Sequence, residues 1–172
     1  MRPIPDAVAG ALYAAGLLAV AGALAWATGR ALVFPSLGPS AYLLAAGSDR
    51  PSARALLGGH AVGIFAGLLA YHGLADGAAI TGALAAGGSA GARLAASAVA
   101  SVGLTTLGMA LTDTRHAPAC ATTLIVSLGL LPSPADAAVI AVGVFALWLA
   151  SRATALASRA GLTVAAVGRV DR

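Results

Sequence analysis

The stretch FPSLGPSAY, residues 34–42, decides how this chain must be read. Two prolines, a glycine and two serines stand between long apolar runs. Proline removes a backbone donor and glycine loosens the chain, so neither suits the middle of a lipid-facing helix unless a polar partner is near. A second stretch, HAPACATTLIVSLGLL at 116–131, has the same character. Each opens with proline and small polar residues and turns apolar only after a proline, Pro39 in one and Pro118 in the other. A proline at the first helical position forgoes only a donor that would be unpaired anyway. The pattern therefore predicts two extended lead-ins, each followed by a short helix starting at its proline.

Working outward, the rest of the chain is membrane-like. Of 172 residues, 59% are hydrophobic and only 9% charged. A soluble domain carries about 25% charged residues, so this chain cannot cover a water-facing surface and must face lipid. The ten cations are all Arg and the six anions all Asp. The arginines are scattered at the ends of apolar runs, as in membrane loops, so the positive balance does not point to nucleic acid. A single cysteine, Cys120, excludes an internal disulfide and a cysteine-only metal site.

Four runs are long enough to cross a hydrocarbon core of about 30 Å: Ala7–Thr28, Ala55–Leu74, Ala92–Leu111 and Ala135–Leu156. The first is too long for a signal peptide and reads as a retained helix. Trp26, Tyr71 and Trp148 lie near run ends, where aromatic belt residues sit. The halves 7–74 and 92–156 share one order: long span, Arg, broken segment, Pro, long span. Arg30 and Pro51 frame the first broken segment, Arg115 and Pro134 the second. This predicts an all-α membrane protein, four long spans plus two Pro-broken short segments, in an inverted repeat of three plus three. A linker at 75–91 joins the halves, and 157–172 form a tail.

The arginines decide whether the short segments cross or re-enter. If both cross and the N-terminus is cytoplasmic, Arg2, Arg50, Arg54, Arg115, Arg152, Arg159, Arg169 and Arg172 share the inner side, with Arg30 and Arg93 outside. Re-entry moves Arg50, Arg54 and Arg115 outside. The positive-inside rule favours crossing, with both termini cytoplasmic.

In that arrangement two short-helix N-termini converge near the midplane. Each offers free N–H donors and a partial positive charge, together a site for a small anion. Ser36, Ser40, Thr122 and Thr123 add hydroxyls, and Gly38 would permit close backbone approach. The alternative is a pair of proline kinks, around Pro35, Pro39 and Pro118, packed by serines with no ligand. His116 stands just before a helix start. It could gate the site or exchange a proton with the anion, or simply order the turn. Asp113 and Arg115, which flank it, are expected to pair with each other at the membrane face. His60 follows two glycines and reads first as a packing residue, with reach into the cavity as the alternative. His72 reads as interfacial. Gly59, Gly63 and Gly67 form a smooth stripe suited to close helix contact, within the chain or between copies, and would allow a homo-oligomer. Ser97 and Ser101 offer a similar face. The histidine spacing does not suit a metal, no cofactor motif occurs, and no nucleophile–base pair suggests an enzyme.

FPSLGPSAYLL, GGHAVG at 58–63 and TRHAPACATTL at 114–124 together resemble the HPP family of integral membrane proteins. The resemblance covers residues 34–131. The family's His-Pro-Pro followed by Ala-Gly-Ala-Thr corresponds to His116, Ala117, Pro118, Ala119, Cys120, Ala121 and Thr122, so Ala117 replaces a proline and Cys120 a glycine. The resemblance implies four transmembrane helices and, because plant and cyanobacterial relatives are implicated in nitrite transport, a small monovalent anion such as nitrite as the substrate. The expected function is passage of that anion across the bilayer. A passive channel of the same fold and a non-transporting membrane anchor are the rivals.

Overall fold

The computed structural model describes residues 4–29, 33–46, 50–82 and 84–159. Within them the chain forms six α-helices: α1 (Ile4–Thr28), α2 (Val33–Ala45), α3 (Ala53–Ala70), α4 (Ser89–Thr112), α5 (Ala119–Ser127) and α6 (Pro134–Arg159). Helix α3 ends in a π turn, Tyr71–Ala75. Four helices are long and apolar enough to cross a membrane: Asp6–Thr28, Arg54–Ala75, Ser89–Thr112 and Pro134–Ser158. These coincide with the four predicted runs. The described part of the tail, to Arg159, continues α6.

One of the short helices departs from expectation. Helix α2 begins at Val33, and Pro39 lies inside it. Pro35 falls in the first turn, where its missing N–H has no role, so the helix can start before it. Pro39 then deprives the Pro35 carbonyl of its helical donor without ending the helix. Helix α5 does start after its proline, with Pro118 as its N-cap.

Local signals fix the other ends. Ser52 caps α3 by accepting a bond from the Ala55 N–H at 3.1 Å. Ser133 and Asp136 cap α6 reciprocally. The Ser133 hydroxyl accepts from the Asp136 N–H at 3.1 Å, and the Asp136 carboxylate accepts from the Ser133 N–H at 3.1 Å. Gly129 follows α5 with φ +74, and a Cβ there would strike Ala78 and Tyr71. Only glycine suits both the conformation and the space.

Contacts between helix ends give the direction of each element. At one end of the bundle, Arg54 donates to the Thr112 carbonyl at 2.6 Å, joining the start of α3 to the end of α4. Tyr13 and Thr154 share a hydrogen bond at 2.9 Å, joining α1 near its start to α6 near its end. Gly10 of α1 lies against the Ala45 carbonyl at the end of α2, and Arg50 stands 5.7 Å from the Tyr13 ring centroid. At the opposite end, Arg93 donates to the carbonyls of Leu74 and Asp76. Helix α5 has only nine residues, about 13 Å of helix. Its lead-in nevertheless rests on Gly58 and Gly59 of α3, while its last turn accepts a bond from Ile80, beyond the end of α3, at 3.0 Å. Each helix thus runs opposite to the one before it, and α5 with its lead-in and the turn after it extends between the two ends.

Helix α3 is the centre, packed against α4, α5 and α6. Its glycines let it be so. A Cβ at Gly59 would lie 2.7 Å from the His116 Cβ, one at Gly63 2.7 Å from the Ala119 carbonyl, and one at Gly67 2.9 Å from the Thr123 carbonyl. The stripe is therefore used inside the chain against α5 and its lead-in. The surface is apolar, with Leu12, Trp26, Phe65, Val99, Leu111 and Phe145 exposed. The interior holds Leu37, Leu56, Ile140 and Leu147 together with buried serines, threonines and histidines. That distribution fits a bundle bathed in lipid.

Gly63→Ala is expected to lower stability by about 1–3 kcal/mol, because the new methyl must displace backbone. Gly16→Ala, where no atom lies within 4 Å, is the control. Thermal unfolding in detergent compares them. Equal melting would contradict the close α3–α5 contact.

Candidate functional site

Ser40 sits one residue after Pro39, the proline inside α2. Its side chain is fully buried, at 0% exposure. Its Oγ lies 2.9 Å from His60 Nε2 and 2.9 Å from His116 Nε2. His60 Nδ1 in turn lies 2.7 Å from Thr122 Oγ1. The imidazole centroids are 5.1 Å apart. His116, Ser40, His60 and Thr122 form one hydrogen-bonded chain drawn from the α5 lead-in, α2, α3 and α5.

The glycine stripe makes this chain possible. Gly59 leaves room for the His116 Cβ, so the turn before α5 presses on α3 beside His60. The backbone N–H of His116 donates to the Met109 sulfur of α4 at 3.4 Å, which holds the turn from the other side. Helix α2 packs on α5 and brings Ser40 between the two rings.

Counting hydrogens restricts the arrangement. A serine hydroxyl donates once and accepts twice, and a neutral imidazole donates from one nitrogen only. Ser40 has these two imidazoles as its hydrogen-bond partners. If it donates to one, the other must donate to it. In one polarity His116 donates to Ser40, Ser40 to His60, and His60 to Thr122. In the other, every bond reverses. Passing a proton along the chain converts one polarity into the other.

Among the described residues, no charged side chain takes part. Arg54 bonds the end of α4, and Asp113 and Arg115 are exposed beside the lead-in. The expected Asp113–Arg115 ion pair does not occur among the described residues. Asp113 instead caps α4 in a left-handed conformation (φ 52), and its N–H bonds the Met109 carbonyl. The described residues contain no cluster of three or more His, Cys, Asp or Glu arranged to hold a metal.

The structure brings Ser40, His116 and Thr122 together and adds His60, which the sequence suggested for packing. Its position next to two glycines gave no sign of its hydrogen bonds. Thr123 is buried one residue away, but its hydroxyl has no partner. A Cβ on Gly38 would meet nothing within 4 Å, so the expected close approach there does not occur. The Ser36 side chain lies outside the described residues. Pro118 is buried and Pro35 and Pro39 are exposed; Pro39 and Pro118 line a groove of about 380 Å³ with Ala117, Ala121, Tyr42 and Leu43. At the start of α5, the N–H groups of Ala119, Cys120 and Ala121 bond back to the carbonyls of His116, Ala117 and Pro118. The donors nearest the chain's polar centre are thus side chains. His72 is exposed and contacts Asp76 at 3.2 Å.

Four long apolar helices around a polar interior define a multi-pass integral membrane protein. The chain matches the family described as HPP, transmembrane region, over residues 2–161. That is nearly its whole length, and the chain belongs to the HPP family. No curated protein and no solved structure matches it.

Ser40→Ala removes the hydroxyl both imidazoles use. It is expected to cost about 1–3 kcal/mol, as for other buried polar groups left unpaired. Tyr42→Phe, on the same helix but 66% exposed, should cost little. Comparable unfolding temperatures in detergent would show that the shared hydroxyl carries no weight.

Proposed function

We propose that this protein carries a small monovalent inorganic anion, of the size of nitrite, across the cell membrane. The observation that supports this best is the buried chain of His116, Ser40, His60 and Thr122 inside a lipid-facing bundle. Buried polar groups are costly in such a setting, and intramembrane ionisable residues most often serve a transported species. The hydroxyls and imidazole N–H groups are the kind of donors a small anion accepts from. The site lies about 10 Å along α3 from Ala53; Ser36, Gly38 and Thr123 belong to the proposal as further lining residues.

An anion taken into this neutral site brings an uncompensated charge, and desolvated charges must be paired. The groups able to supply the opposite charge are the two imidazoles. A proton held by His60 or His116 would neutralise the load, and reversal of the chain would pass it on. Proton and anion would move together. The three-helix halves would form an inverted repeat, consistent with their opposite running directions, and both termini would be cytoplasmic. Arg50, Arg54 and Arg152 at that end against Arg93 at the other agree with this orientation. Any homo-oligomer would use a face other than the glycine stripe, which α5 covers.

The test is nitrite uptake into proteoliposomes with and without an inward proton gradient, for the wild type and His60→Gln and His116→Gln variants. The expected result is saturable uptake, increased by the gradient and reduced at least about tenfold in both variants, a barrier change of about 1.4 kcal/mol. Uptake that neither saturates nor responds to the gradient would indicate a passive channel. No uptake above empty vesicles would remove nitrite as the substrate.

A further inference from the structure

A second polar feature lies deeper in the bundle. Ser97, Ser101 and Thr105 follow one another at helical spacing along α4, and all three are at 0% exposure. The Ser97 hydroxyl donates to the Ser127 carbonyl at 2.9 Å, and the Ser101 hydroxyl to the Ser127 hydroxyl at 3.0 Å. Helices α4 and α5 run in opposite directions. One turn forward from Ser101 on α4 is Thr105, and one turn back from Ser127 on α5 is Thr123. These two threonines therefore occupy the same level of the interface.

Both hydroxyls are fully buried, and neither has a hydrogen-bond partner. The other buried serine and threonine hydroxyls are bonded, including Ser40, Thr114, Thr122 and Ser151. An unpaired buried hydroxyl costs about 1–3 kcal/mol, and two at one level of one interface point to a shared partner. Helix α3 supplies no partner to either hydroxyl, and at this level it presents Gly67, which has no side chain, to the Thr123 carbonyl. A water molecule, with two donors and two acceptors, can satisfy both.

We propose that Thr105 and Thr123 bind a water molecule, and that with Ser97, Ser101 and Ser127 they form a solvated track from the histidine chain to the Arg93 end of the bundle. Thr122 and Thr123 are neighbours on α5, one directed to His60 and the other to the α4 interface. Thr123 lies at the level of Gly67 and His116 at that of Gly59, about 12 Å apart along α3. The track thus extends the polar interior along the stretch the histidines do not reach. The hydration site stands on its own. The role as a path rests on the transport reading.

Thr→Val replacement keeps the shape and removes the hydroxyl. If water bridges the pair, Thr105→Val and Thr123→Val should each lower the unfolding temperature in detergent by about 2–4 °C. The double variant should cost little more than either single one, because both lose the same water. Thr→Ser at either position should retain the coupling. Nitrite uptake into proteoliposomes should fall several-fold in the Val variants and largely persist in the Ser variants. Unchanged or raised unfolding temperatures in the Val variants would mean the hydroxyls are dry and would overturn the hydration site. A lowered temperature with unchanged uptake would overturn the path. If the wild type moves no nitrite, the transport reading and the path fall together, while the unfolding series still decides the hydration site.

Discussion

One serine hydroxyl between two imidazoles sets the terms for this structure. Ser40 can satisfy both rings only if they are brought within a few ångströms of the same oxygen. They come from distant parts of the chain, one on α3 and one on the turn before α5. That turn must press against α3 and α2 must press against both. The glycines of α3 permit the first contact, and the packing of α2, which carries Ser40, on α5 provides the second. Remove the close approach and two neutral but strongly polar rings would be left inside a lipid-facing bundle without partners.

The energetics follow from the solvent. Lipid gives polar groups nothing to bond, so hydroxyls and imidazoles must either find one another or accept a ligand. In this chain they converge on α5. Its nine residues place Thr122 toward His60 and Ser127 toward α4. A helix this short is a poor membrane span by itself. It is held because α3, α4 and α2 surround it, and that enclosure is also what lets it carry polar side chains. Structural brevity and a polar interior have the same cause here.

Much of this was legible in the residues. Four spans follow from the length of apolar runs, and Ser40, His116 and Thr122 stood out because polar residues beside prolines are conspicuous in such a chain. The start of α2 was not legible. Pro39 looked like a first-turn proline, yet Pro35 filled that role and the helix continued through the second. Gly38 looked like a point of close approach, but only tertiary packing decides which glycine is covered. Gly59, Gly63 and Gly67, whose spacing did announce a contact stripe, are covered, and so are Gly58, Gly108 and Gly129, which no spacing singled out. His60 was obscured by the same stripe, since a histidine among glycines reads as packing until its neighbours are known. Thr105 lay within an ordinary apolar run, and its significance appears only when α5 is laid antiparallel beside it.

The central claim is that the Ser40 hydroxyl donates to one ring and accepts from the other, so His60 and His116 carry their protons on different nitrogens. Nitrogen-15 NMR of histidine-labelled protein in micelles, at a pH where both rings are neutral, tests this directly, because bare and protonated ring nitrogens are distinguished. The account requires opposite tautomers: one ring protonated at Nε2 and the other at Nδ1, in either polarity or in exchange between the two. Both rings in the same tautomer would contradict it, because Ser40 would then not link them as a chain.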